Sequence, residues 1–292
     1  MATITLTANT NVSALSLAND DTIDLAGFQL NFDVQPTVTG IQVTSPGTAG
    51  TCVFPVACVI PTWDFFAGTI GLTGMIATLP SNCEIGNITG GTSTSAYGIN
   101  TNNGVVNHSR GGSGNNSRGI NTNNGTVALA QGGSNSNAFG IGNNEGICCE
   151  AIGGTFANAF GISTNNRKLT SITGGTVAGA NGVNTCNTPV ESVTGGSVVN
   201  SHGVNIMFSF SLRITDTDAT AVNSWRSSST LVSGPDCNGT IKTPVETIYS
   251  IGPMSESAIL PAGATVIELS EGGGTGTAGF TGIEGISRSL GT

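Results

Sequence analysis

Gly98-Ile99-Asn100-Thr101-Asn102-Asn103-Gly104 recurs as Gly119-Ile120-Asn121-Thr122-Asn123-Asn124-Gly125. The two copies stand 21 residues apart, and the same step extends in both directions. A Gly-Gly pair starts at Gly90, Gly111, Gly132, Gly153, Gly174 and Gly195. A Gly followed by Ile or Val starts at Gly98, Gly119, Gly140, Gly161, Gly182 and Gly203. Two landmarks that hold one phase through six units, without an insertion, identify an internal structural repeat.

Aligned by unit, the repeat resolves into columns. One is Ile99, Ile120, Ile141, Ile162, Val183 and Val204. A second is Val106, Val127, Cys148, Leu169 and Val190. A third is Ile88, Ser109, Ala130, Ala151, Ile172 and Val193. These are read as facing inward. A fourth, Ala96, Ser117, Ala138, Ala159, Ala180 and Ser201, admits only small side chains, as a crowded corner does. A unit burying about three apolar side chains cannot fold alone, but stacked units share one core and cover each other's strand edges. The reading is an all-β chain forming a single-chain β-solenoid (a parallel β-helix) with 21-residue coils and irregular β segments at both ends. Strict spacing with a small corner residue fits this better than a triple-stranded fibre. The glycines are expected where the chain turns with positive φ, a region that Asn also tolerates. Asn102, Asn123, Asn144 and Asn165 are expected to hydrogen-bond along the axis, as Asn ladders do in cross-β structure. Asn102→Ala is expected to cost little in any one coil, whereas Ile120→Asp is expected to destroy the array.

The boundaries follow the phase. Residues 85–207 are the six-unit solenoid. Residues 1–84 fall out of phase and form an N-terminal irregular β or cap segment. Within it Gly40-Ile41-Gln42-Val43-Thr44 echoes the repeat, so coils could begin early, while the Pro- and aromatic-rich residues 45–84 suit a cap or a projecting loop. Residues 208–292 regain charge and read as a C-terminal β module or attachment arm, with a glycine-rich stretch at Gly272–Gly276.

Composition supports the fold class and narrows function. The chain has 292 residues, 44 of them Gly, only 9% charged, with a net charge of −9. Disordered chains are rich in charge, so the scarcity here argues for order. Eight basic residues cannot neutralise many phosphates, so neither nucleic acid nor an anionic membrane is an expected partner. No apolar run approaches the ~20 residues of a spanning helix. Met1 to Asn31 has no basic residue and lacks the secretory pattern, so synthesis in a cytoplasm is expected. Cys52, Cys58, Cys83, Cys148, Cys149, Cys186 and Cys237 match no zinc or thioredoxin spacing, and read as small buried hydrophobes, with a Cys52–Cys58 disulfide as the alternative.

Chemistry is sparse. His108 and His202 occupy different columns, and neither a dyad nor a metal site is expected. Polysaccharide cleavage would need paired carboxylates; of Glu84, Glu145, Glu150 and Glu191, only Glu150 and Glu191 fall in neighbouring columns, two coils apart, and they read as solvated surface charge. Gly111–Asn116 is like a calcium-binding nonapeptide but carries Asn116 where that motif needs Asp. A Thr101 column suited to ice is broken by Asn143 and Ile206. No enzyme activity, metal or cofactor is therefore expected. The candidate binding surface is the stripe before each landmark glycine: Tyr97, Arg118, Phe139, Phe160, Asn181 and His202. Its alternative is that Phe139 and Phe160 stack on each other and complete the packing.

The opening Met1-Ala2-Thr3-Ile4-Thr5-Leu6-Thr7, the segment Asp21-Thr22-Ile23-Asp24-Leu25-Ala26-Gly27-Phe28 and the Gly-Ile/Val-Asn-Thr repeats resemble virion surface proteins of tailed phages. The resemblance is one of general style over most of the chain and carries no site residue. It implies a capsid decoration (cement) protein, homotrimeric, bound to the major capsid protein or another virion protein, assembled in the host cytoplasm and located in the virion. The alternative is a tail fibre or spike component that binds host surface glycans.

Overall fold

In the computed structural model each 21-residue unit makes two strands and two corners. Residues 2–69, 74–167 and 169–208 are described in full; beyond them only the backbone pairing of seven further strands is. One unit runs Arg118–Asn123, a tight corner at Asn124 and Gly125, Thr126–Gln131, then a longer corner through Gly132 and Gly133 back to Phe139–Asn144. Successive units pair in parallel: Ile99 with Ile120, Ile120 with Ile141, Val106 with Val127 and Val127 with Cys148. The result is two parallel sheets: sheet A has eleven strands, from Thr3–Thr5 to Ser211–Thr215, and sheet B has twelve, from Thr10–Asn11 to Thr240–Ile241. The chain is therefore a β-solenoid, and its core lies between the two sheets.

The inward columns are where the repeat places them. Ile99 through Val204, Val106 through Val190 and Ile88 through Val193 are all buried. Each such Val or Ile contributes at most about 1.5–3 kcal/mol through removal from water. The small-residue column from Ala96 to Ser201 is completely buried.

Residues 2–69 and 74–84 are coils of the same two sheets rather than a separate cap. Thr3 pairs with Thr22, Thr22 with Gln42, Gln42 with Asp64 and Asp64 with Asn87, in steps of 19, 20, 22 and 23 residues. Variable coil length is what breaks the phase in the sequence. The aromatic stretch does not project. Phe32, Trp63 and Phe65 are completely buried; Phe32 stacks on Phe54 at 4.3 Å and meets Trp63 edge-on at 5.5 Å, and the Trp63 indole donates to the Val38 carbonyl. The first coil is held by Asp21, which accepts from the Ala2 N–H at 2.6 Å and the Ala18 N–H at 2.9 Å. These two bonds, Ala2 first, hold its carboxyl below the ordinary carboxylate range. A lowered pKa means a contribution fully present above that range and lost as pH falls through the lowered value. Acidification is expected to release Thr3–Thr5 before the central coils, as read by amide hydrogen exchange, and Asp21→Asn is expected to remove the difference.

Pairing also continues past residue 207. Ser211–Thr215 extends sheet A, and Val222–Trp225 and Thr240–Ile241 extend sheet B. Ser229–Ser233, Thr247–Ile251 and Thr265–Glu271 form a further parallel set, to which Ile283–Ser289 adds antiparallel. Gly272–Gly276 and Cys237 lie outside the described residues.

The glycines require a correction. The positive-φ positions of the long corner are Ser95, Asn116, Asn137, Asn158, Gly179 and Asn200, one column with φ between 53° and 79°. Each is the third residue of a β-turn closed by a bond such as Ala138 N–H to Asn135 carbonyl, the position that type II geometry places at positive φ. Asn tolerates that region best among residues with a Cβ. Asn137→Gly is expected to be neutral within error, and Asn137→Val to lose about 1–2 kcal/mol, in urea titrations. The paired glycines are instead demanded by space: a Cβ on the second of each pair would collide with the carbonyl of the coil before it.

The axial amide ladder is buried. Asn102, Asn123 and Asn144 each donate Nδ2 to the Oδ1 of the next coil's Asn at 2.7 Å, and all four residues are fully enclosed. Asn102 also caps its own corner, accepting the Gly104 N–H at 3.1 Å. At Cys186 the ladder ends, and Asn165 turns to the Thr188 hydroxyl at 2.9 Å. The expectation that Asn102→Ala is nearly silent is therefore revised, since a buried amide partner stays unpaired at about 1–3 kcal/mol. Asn123→Ala, which orphans the partners on both sides, is expected to lose about 2–3 kcal/mol by denaturation, and more than Asn102→Ala.

Candidate functional site

The stripe from Tyr97 to His202 is brought together as a continuous stack on the corner leading into sheet B. Parallel pairing aligns Tyr97 with Arg118 and Arg118 with Phe139. The Arg118 guanidinium lies 5.3 Å from the Tyr97 ring centroid and 5.6 Å from that of Phe139, a cation held between two rings. Phe139 and Phe160 stack at 5.5 Å with planes 3° apart. Asn181 Oδ1 then accepts the His202 N–H at 2.8 Å. Arg118 also donates to Asn121 Oδ1 and lies over Gly142, where a Cβ would meet its Nη1 at 2.5 Å. Gly142 stands in a column otherwise made of Asn100, Asn121, Ser163, Asn184 and Asn205, and its missing side chain leaves room for that guanidinium.

The same stacking decides what the stripe can do. Tyr97, Phe139, Phe160 and His202 are at most 9% exposed, with Phe139 and Phe160 covering each other and Arg118 lying over Tyr97, so little of any ring reaches solvent. A sugar or a partner side chain has no open aromatic face there. Phe139 and Phe160 complete the packing.

The titratable groups do not converge. His108 lies on the outer face of sheet A, in register with Asn87 and Leu129, far from the His202 corner. Burial holds its pKa below the ordinary histidine value, with the Arg110 charge adding to the effect, and its Nε2 is enclosed without a hydrogen-bond partner. Glu150 pairs in register with Ser171, and Ser171 with Ser192, so Glu191 remains two coils away in the adjacent column. Glu145 is occupied by the amides of Asn143 at 3.0 Å and Asn166 at 2.6 Å. Among the described residues no three His, Cys, Asp or Glu side chains are grouped to hold a metal ion. Cys52, Cys58, Cys83, Cys148 and Cys186 are buried free thiols; no Cys52–Cys58 bond forms, and among the described cysteines Cys149 alone is exposed. Burial pushes the Cys58 thiol up to about 11, with the neighbouring Cys83 adding to it, so this thiol is protonated at neutral pH. No helix among the described residues is long and apolar enough to cross a membrane.

A concavity that the columns did not reveal lies at the other end of the same long corner, where sheet A gives way to the glycine pairs. It is a groove of about 520 Å³ running along the axis. One wall is the last column of sheet A: Thr44, Phe66, Thr89, Arg110 and Gln131, aligned by parallel register. The other wall is Thr92, Ser113, Ser134 and Thr155, and glycines form the floor. Phe66 escaped notice because the coil ahead of it is longer than 21 residues, which hides its alignment with Arg110.

Compared with protein-family models, curated proteins and solved structures, the chain matches none.

Proposed function

We propose that this protein is a structural surface protein of a virion, a decoration protein of the kind that its resemblance to tailed-phage surface proteins implies. The observation that carries the reading is the continuity of the two sheets. Eleven strands stacked at ~4.8 Å give a rod of about 50 Å, crossed by a buried amide ladder and an arginine–aromatic stack. Repeat architectures of this kind gain stability coil by coil and hold their shape without a large globular core. Such a rod suits a role in shape and symmetric assembly, in which one element docks and the solenoid projects from or lies on the shell. The fibre alternative placed glycan contacts on the Tyr97 stripe, and the covered ring faces there do not favour it.

The test is light scattering on the purified protein, followed by co-sedimentation with empty heads of tailed phages. A trimer that sediments with heads at fixed stoichiometry supports the decoration role. A protein that ignores every head preparation but binds bacterial cells overturns it in favour of a fibre or spike.

A further inference from the structure

We propose that the corner groove between Phe66 and Thr155 binds an extended, uncharged oligosaccharide lying along the solenoid axis. The site is independent of the decoration reading and of the Tyr97 stripe.

Shape comes first. The groove runs from the coil of Thr44 to the coil of Thr155, five coil spacings or roughly 24 Å. The three coils of Thr89, Arg110 and Gln131 each supply a residue from both columns, so polar groups recur there at the strand spacing of ~4.8 Å. A linear polymer of similar units can meet such a row repeatedly, whereas a compact ligand meets only one step of it.

The chemistry of the walls selects among polymers. Ser113, Ser134 and Thr155 are exposed, and their hydroxyls make no hydrogen bond with any described residue. Arg110 Nε and Nη2 both donate to Gln131 Oε1, at 3.1 and 2.8 Å, which fixes these two long side chains side by side in the wall, with His108 also hydrogen-bonded to the Gln131 side chain. Fixing them before a ligand arrives lowers the ordering entropy that binding must overcome. Phe66, 38% exposed at one end, offers an apolar ring to the C–H face of a pyranose. Free hydroxyls along one wall and an exposed aromatic ring at one end are the complement of a neutral sugar chain.

Other polymers fit less well. A peptide strand would need free backbone groups, but the floor N–H groups are already used: Gly111 donates to Gln131, Gly132 to Ile152, Ser134 to Gly112 and Thr155 to Gly133. A polyanion would meet a single cation, Arg110, on a chain of net charge −9.

The experiment is isothermal titration calorimetry of the full chain against four hexasaccharides: β-1,4-glucose, α-1,4-glucose, β-1,4-N-acetylglucosamine and, as the acidic control, α-1,4-galacturonate. At least one neutral hexamer is expected to bind, with its disaccharide weaker by about 100-fold because fewer coils are engaged. Phe66→Ala and Gln131→Ala are each expected to weaken the hexamer by about tenfold, while Asn100→Ala on sheet B leaves it unchanged. Far-UV circular dichroism checks the fold of each variant, and Phe66→Leu, which keeps bulk but removes the ring, replaces Phe66→Ala if the latter unfolds. The proposal is overturned if no neutral hexamer binds at millimolar concentration, if binding survives in both groove variants, or if only the galacturonate hexamer binds.

Discussion

Ile120→Asp is expected to abolish folding of the central coils. Ile120 lies in the middle of a six-residue apolar column, completely buried and paired in register with Ile99 and Ile141. The Asn ladder of the same strand column is fully engaged in its own bonds. A carboxylate placed there loses its hydration without gaining a partner, and a carboxyl that stays protonated still leaves buried polar atoms unsatisfied. The lost apolar transfer and the void left by the shorter side chain add to this. The sum exceeds about 4–5 kcal/mol, the range reserved for the most disruptive single changes. Because each coil touches only its neighbours, the damage is expected to centre on units 99–141 and spread from there. Far-UV circular dichroism and amide exchange are the readouts. Ile120→Val, by contrast, is expected to lose only about 0.5–1.5 kcal/mol. An Ile120→Asp protein that melts like the parent would remove this column from the core.

Gly133→Ala is expected to be nearly as damaging, and for a reason of space alone. Gly133 is not among the positive-φ residues, so alanine could adopt its backbone conformation. The added methyl group would collide with the Gly112 carbonyl oxygen, and would lie 2.6 Å from Gly111 C and 2.7 Å from Ala138 Cβ. Two of these atoms are backbone of the preceding coil and cannot rotate away. Relief requires the coils to part, which would break the bond from the Ser134 N–H to the Gly112 carbonyl. A loss of about 3 kcal/mol, the upper end for overpacking, is expected in urea titrations. The contrast with Asn137→Gly separates the two origins of small residues in this corner. If Gly133→Ala matched the parent midpoint, the coils would be less closely apposed than they are here.

What the chain alone determined is its periodic content. A 21-residue step in two landmarks, with apolar residues at matching offsets, already implies stacked coils, because only neighbours in register can cover such sparse apolar columns. The inward columns, the small-residue corner and the axial amide pairing from Asn102 to Asn165 were all legible for that reason. Tertiary structure decided what depends on distance rather than sequence offset. It made coils of residues 2–69 and 74–84, where steps of 19 to 23 residues hide the phase although the hydrogen bonds are the same. It showed that the paired glycines answer to the carbonyl of the previous coil and that Asn residues carry the positive φ, since crowding between coils has no signature within one. It also turned the Tyr97 stripe inward upon itself and opened a groove beside Phe66. Whether aligned side chains cover one another or stand apart is set by the direction in which each leaves the backbone, and only the folded coil fixes that.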